Sequence, residues 1–127
     1  MTREQVKKFK ELAEKYGLTK SDFFKAPQGF VCINRTGIEK IQRGLNVRVN
    51  YEVVPVLSDP SMGLYCIKAC GWIQDTKHRV ESFGEASPKN CKVAYPIAMA
   101  EKRALSRVVL KLADLYEIGV YGEDEVG

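Results

Sequence analysis

Between residues 45 and 53 the hydrophobic period of the chain changes, and that change limits what the chain can fold into. Leu45, Val47, Val49, Tyr51 and Val53 alternate with Asn46, Arg48, Asn50 and Glu52, the two-residue repeat of a half-buried strand. One face is expected to be core and the other, carrying Arg48, to meet water or a ligand. A second strand pattern, "LYCIKACGWI", follows after the turn residues of "SDPSMG". Its two faces are Leu64, Cys66, Lys68, Cys70, Trp72 and Tyr65, Ile67, Ala69, Gly71, Ile73, and neither is plainly polar. The pattern therefore does not say which face the helices cover. "QDTK" is the next turn, and "HRVESFGEA" reads as a third strand ending near Gly84.

Before the strands the spacing is helical. Thr2 and Gln5 fit a capping box, and Val6, Phe9, Leu12, Ala13 and Tyr16 recur at helical intervals up to the stop at Gly17. Lys7, Lys8, Glu11, Glu14 and Lys15 fall on the opposite, solvated face. "TKSDFFKAPQG" reads as a short helical turn capped by Ser21 and ended by Pro27 and Gly29; "FVCIN" is a short strand. Thr36 is expected to cap a short helix through Ile38, Ile41 and Gln42 that closes at Gly44. After the strands, "SPKNCKVAYP" is a connecting segment with Lys89 and Lys92, and Pro96 suits the first turn of a last, long helix. The order predicts an α+β fold: an antiparallel three- to four-stranded meander with a β-β-β-α core, the long C-terminal helix and the amphipathic N-terminal helix on one face. Residues 1–122 are expected to form one domain and residues 123–127 a frayed acidic tail.

The last helix poses a question. "YPIAMAEKRALSRVVLKLADLY" is apolar enough for a core, yet carries Lys102, Arg103, Arg107 and Lys111. At 100° per residue Ile97, Ala104, Val108, Leu112 and Leu115 share one side, with Leu105 and Ala98 beside them, and that side is expected to be core. Arg103, Arg107 and Lys111 stack at i, i+4, i+8 as a ladder of positive charge with steps of ~6 Å. Lys102 projects elsewhere and is expected to pair locally with an acid. The ladder's pitch matches successive phosphates of an extended nucleic-acid strand, although surface helices often carry such stripes with no ligand.

Charge distribution favours a polyanionic partner. The net charge is +4, but five of the 16 acids lie from Asp114 onward, where there is no Lys or Arg, so the body is +9 and the tail −5. Cys32, Cys66, Cys70 and Cys91 form no CxxC pair, and His78 is the sole histidine. Buried reduced thiols are expected, with no metal site and no cofactor. Asp59, Glu81 and Glu85 do not make the carboxylate and lysine cluster of a metal-dependent nuclease, and nothing in the spacing pairs a cysteine with His78. The expectation is a protein that is not an enzyme. No stretch has the apolar run of a membrane span, and the charged N-terminus lacks the pattern of a secretory signal, so a cytoplasmic location is expected.

The runs "VESFGEASPKN" and "YPIAMAEKRALSRVVLKLADLYEIGVYGEDE" resemble the core of phage and prophage single-strand annealing proteins, in the group containing the essential recombination function (ERF) and Rad fifty-two-like families. The sharp part is a helix of the type A-x-(E/K)-(T/K)-R-A-x-x-R, read here from Ala100 to Arg107. The resemblance spans about residues 45–122 and does not extend to the additional C-terminal, partner-recruiting domain of such proteins. It implies a β-β-β-α core whose subunits pair side by side into rings or filaments as a homo-oligomer. Single-stranded DNA would lie in a basic groove with its bases exposed for annealing, in recombination and repair.

Carried over residue by residue, Arg103 and Arg107 would contact phosphates or hold the groove together, and Lys102 matches a basic position less closely. Lys111, Arg48, Lys68, Lys77 and Arg79 join them as candidate DNA contacts from the charge pattern alone. Tyr51, Tyr65, Trp72 and Phe83 are candidate stacking platforms, against the commoner role of aromatics as core anchors. On this reading, replacing Arg103 and Arg107 by alanine leaves the fold intact and weakens binding. The competing expectation is a protein-interaction module that uses the basic surface, the first helix or an open sheet edge.

Overall fold

The computed structural model describes residues 1–92 and 94–123. The described residues form an α+β fold of three α-helices and two three-stranded sheets. Helix α1 (Arg3–Tyr16) begins at the Thr2–Gln5 capping box and ends at Gly17, whose φ of 66° gives the left-handed cap. Helix α2 (Arg35–Leu45) is capped by Asn34, whose side chain accepts from the Gly37 N–H, and not by Thr36; the Thr36 hydroxyl donates to Asp22 and Asn34 instead. It runs through Gly44 to a left-handed cap at Asn46. Gly44 serves packing here, because a Cβ at that position would sit 2.5 Å from the Tyr16 ring of α1.

The segment expected as a helical turn after α1 is only one turn of 3-10 helix, Lys20–Asp22, followed by strand β1 (Phe23–Lys25). Phe23 and Phe24 extend because β1 pairs antiparallel with β2 (Val31–Ile33), a long-range gain that outweighs the local turn signal. On its other side β2 pairs in parallel with β6 (Val120–Gly122) near the C-terminus. Glu123, grouped by sequence with the tail, accepts from the Arg35 backbone N–H at 3.1 Å and from Lys102 Nζ at 3.0 Å. The rest of the expected tail, 124–127, lies outside the described residues.

The second sheet is the meander: β3 (Val47–Val53), β4 (Tyr65–Ile73) and β5 (Arg79–Ala86), antiparallel in that order. Helix α3 (Pro96–Leu112) packs on the face made by Val47, Ile67, Ala69 and Ala86, through Ala100, Ala104 and Val108. Its other side, with Leu105, Val109 and Leu110, closes a second core with Ile33, Ile38, Ile41, Leu115 and Val120. The face with Tyr65, Ile67, Ala69, Gly71 and Ile73 is thus the covered one. α3 is buried on two sides because it lies between the sheet and the α2 layer. Ile97 and Ala98, expected in the core, are exposed, Ile97 by 50%, since the first turn of α3 reaches past both layers. Among the described residues no helix is long and apolar enough to cross a membrane.

Asp22 ties the small sheet to α2. Its buried carboxylate accepts from Lys40 Nζ at 2.7 Å, Thr36 Oγ1 at 2.8 Å and the Thr19 N–H at 2.9 Å. Burial alone would raise its pKa, but these donors and the Lys40 charge more than offset it and hold the group at about 2, below the ordinary 3.8. The folded pKa is the depressed one, so the stabilisation, about 2 kcal/mol, is fully present above pH 4 and is lost as the pH falls through 2. Urea unfolding at pH 4 and at pH 2 should show a drop in stability that is smaller by about this amount in Asp22→Asn than in the parent. An equal drop in both proteins would remove Asp22 from the account.

Candidate nucleic-acid interface

The side-chain alternation of an antiparallel sheet sorts the candidate residues. Residues of β3, β4 and β5 that do not face α3 make a face that, among the described residues, no α-helix covers: Arg48, Asn50 and Glu52, then Cys66, Lys68, Cys70 and Trp72, then Arg79, Glu81, Phe83 and Glu85, with Cys66 at its far end buried beside Ser58. The strand register sets Arg48 directly opposite Trp72, and Trp72 opposite Arg79. The half-buried indole therefore lies in a row between two exposed arginines. The Arg79 guanidinium stands 5.3 Å from the centre of the Trp72 ring, and its Nε–H donates to Cys70 Sγ at 3.0 Å. Lys77 is exposed in the β4–β5 hairpin just beyond this row. Two rows further along the same face, Lys68 lies 3.5 Å from the Glu52 carboxylate and opposite Phe83, which is 44% exposed.

The cationic ladder of α3 is directed elsewhere. The β3–β4–β5 bonding phase leaves the backbone groups of Arg79, Glu81, Phe83 and Glu85 pointing away from β4, because the hydrogen-bonded pairs of that ladder fall on the alternate residues, as at Ile73 and His78. Arg103 Nη1 donates to the Glu85 carbonyl at 2.7 Å, Arg107 Nη1 to the Phe83 carbonyl at 2.6 Å, and Lys111 Nζ to the Glu81 carbonyl at 3.2 Å. Three cations four residues apart on a helix meet three carbonyls two residues apart on a strand. A helix advances ~6 Å in four residues and a strand ~6.6 Å in two, so the two repeats stay in step over three rungs. The pitch that suits phosphates suits an edge strand equally well.

Arg103 does more. Its Nη1 also donates to Asn90 Oδ1 at 3.0 Å and its Nη2 to the Asn90 carbonyl at 2.6 Å, while Asn90 Oδ1 accepts from the Ser87 N–H. The two runs that carry the family resemblance thus meet in space, Asn90 and Gly84 from the first against Arg103, Ala100 and Ala104 from the second. The Arg107 guanidinium adds a 3.6 Å contact to the Glu85 carboxylate. These bonds speak against a fold-neutral double alanine replacement, since both arginines fasten β5 to α3.

Lys102 does project away from the ladder, but the acid it meets is not a local one: it is Glu123, brought in from far along the chain by the pairing of β6 with β2. Of the aromatic candidates, Tyr51 and Tyr65 lie on the α3 side, beyond the helix start, where burial and the nearby Glu101 charge raise the Tyr51 pKa. Trp72 and Phe83 are the ones on the uncovered face. The eight candidate cations therefore divide: Arg48, Lys68, Lys77 and Arg79 at the open face or its hairpin, Arg103, Arg107 and Lys111 along the β5 edge, and Lys102 at the C-terminal strand. The Arg48–Trp72–Arg79 row is missed from sequence as a unit, although the alternation names each strand's faces, because the cross-strand register is not in the local pattern.

No protein-family model, curated protein or solved structure matches the chain.

Proposed function

We propose that this protein binds single-stranded DNA on the uncovered face of its larger sheet and anneals complementary strands, as a homo-oligomeric, non-catalytic component of recombination and repair. The observation that carries the reading is the Arg48–Trp72–Arg79 row. It offers an aromatic surface to an unpaired base and a cation on either side to the flanking phosphates. A base stacks on such a surface whatever its identity, and a duplex, whose bases are already stacked, gains nothing from it. Lys77 beyond the row on one side, and Lys68 and Phe83 two rows along the same face on the other, extend the track. Arg103 and Arg107 serve this site by fixing the strand that carries Arg79 and Phe83, which is the groove-holding alternative of their carried-over role. Annealing needs no catalytic acid, base or metal, because pairing is favourable once backbone repulsion is neutralised.

Fluorescence anisotropy of labelled oligothymidine, beside a duplex of equal length and at two salt concentrations, tests the reading. The single strand should be preferred, and Trp72→Ala should weaken its binding by about 5- to 100-fold, the worth of one stacked base. Replacing Lys77 and Arg79 together by alanine should flatten the log–log salt dependence by about 1.4, two phosphates' worth on a single strand. Folded protein that does not bind at low salt would overturn the proposal and favour a protein-interaction module.

A further inference from the structure

The two edges of the larger sheet are treated differently. The β5 edge is occupied by Arg103, Arg107 and Lys111, whose side chains take its outward carbonyls. On β3 the bonding phase is set by Val54, whose N–H donates to the Cys66 carbonyl, and by the Gln74 N–H donating to the Asn46 carbonyl. Arg48, Asn50 and Glu52 therefore bond β4, and the backbone groups of Val47, Val49, Tyr51 and Val53 point outward. Among the described residues no hydrogen bond reaches them. The strand has no proline, no bulge and no inward-pointing charge to blunt it. Beside it, Tyr51 and Val53 are 40% and 52% exposed.

The sequence of β3, VRVNYEV, says what fits this edge. Set antiparallel to a copy of itself about Asn50, it places Arg48 opposite Glu52 of the second copy, and Glu52 opposite the second Arg48. Val47 then meets Val53, and Val49 meets Tyr51, on the side of α3. Only odd-numbered residues exchange backbone hydrogen bonds in this register, and these are the residues whose groups point outward. Shifting by two residues either way shortens the overlap and removes the Arg48–Glu52 pairs. We infer that two copies of this chain pair through β3, about a two-fold axis at Asn50, into one continuous six-stranded antiparallel sheet.

The contact is isologous and closes on itself. A head-to-tail continuation from β3 to β5 would have to displace the arginines from the β5 carbonyls. A ring or filament would instead be assembled from these pairs through another surface. Each pair buries the exposed Tyr51 and Val53 and links the two uncovered faces side by side. The inference goes beyond the DNA-binding reading and does not rest on it, since it uses only the edge, its bonding phase and its charges.

Sedimentation equilibrium without nucleic acid tests it. The parent protein should dimerise. Arg48→Glu and Glu52→Arg, each alone, place like charges opposite each other twice, and each should raise the dimer dissociation constant about tenfold or more. Mixed one to one, the two variants should recover the dimer, because in the two-fold register the two acidic side chains of one variant face the two basic side chains of the other. Tyr51→Pro, which removes an outward N–H and no bond to β4, should leave a folded monomer by circular dichroism. A monomeric parent protein would overturn the inference. So would an oligomer indifferent to Tyr51→Pro, or variants that fail to recover on mixing.

Discussion

Replacing Arg103 and Arg107 together by alanine should lower the melting temperature by roughly 10 °C, the largest effect expected of any change at exposed or half-exposed positions. The two guanidinium groups make four hydrogen bonds to β5 and to Asn90. Hydrogen bonds involving a charged partner contribute about 1.5–3 kcal/mol each. Water can reach the freed carbonyls at a sheet edge, so the sum is discounted to about 3 kcal/mol. Arg103→Lys should recover little, since one ammonium cannot reach the Glu85 carbonyl and both Asn90 oxygens in the fixed fork that guanidinium offers. Lys111→Ala, losing one bond of 3.2 Å from an exposed ammonium, should be nearly neutral. Thermal unfolding followed by circular dichroism checks all three. A double variant as stable as the parent would return the arginines to the phosphate-contacting role. Loss of DNA binding by the double variant is informative only at a temperature where it remains folded, since a loosened β5 also moves Arg79 and Phe83.

What the chain reveals locally and what it withholds follow one division. The Thr2–Gln5 box, the Gly17 cap, the Pro96 start of α3 and the alternation of β3 are set by residues within a turn of each other, and each is where the spacing places it. Strands β1, β2 and β6 are three residues long, too short to show a period, and they exist through partners up to about ninety residues away in sequence. "FVCIN" is legible as a strand only because it is apolar; Phe23–Lys25 resembles a turn. The helical wheel finds the side of α3 that meets the sheet but not how far the sheet extends, so it places Ile97 in a core that ends before it. The ladder is legible as a stripe, and its partner is not, because phosphates along a strand and carbonyls along a β-edge recur at similar distances. On the uncovered face, Arg48, Trp72 and Arg79 can each be named as a candidate, but their row depends on register across two hairpins.

Gly84→Ala should be the most destabilising single methyl that can be added to this protein. A Cβ at Gly84 would lie 2.1 Å from the Ala100 carbonyl oxygen, 2.5 Å from the Ala104 nitrogen and 3.0 Å from the Arg103 Cβ. The first two are backbone atoms of α3, which no rotamer change can move aside. The helix must lift from β5, opening the contacts of Ala100, Ala104 and Val108 with the sheet. A cost of about 3 kcal/mol or more is expected, at the upper end for overpacking. The same displacement draws Arg103 and Arg107 away from the β5 carbonyls, so the two perturbations should not add. In a double-mutant cycle, removing both arginines from the Gly84→Ala protein should cost less than removing them from the parent, by about 1 kcal/mol or more. Strict additivity would mean that α3 tolerates the methyl by a shift the arginines do not feel, and the coupling between the small residues of the motif and its cations would fail.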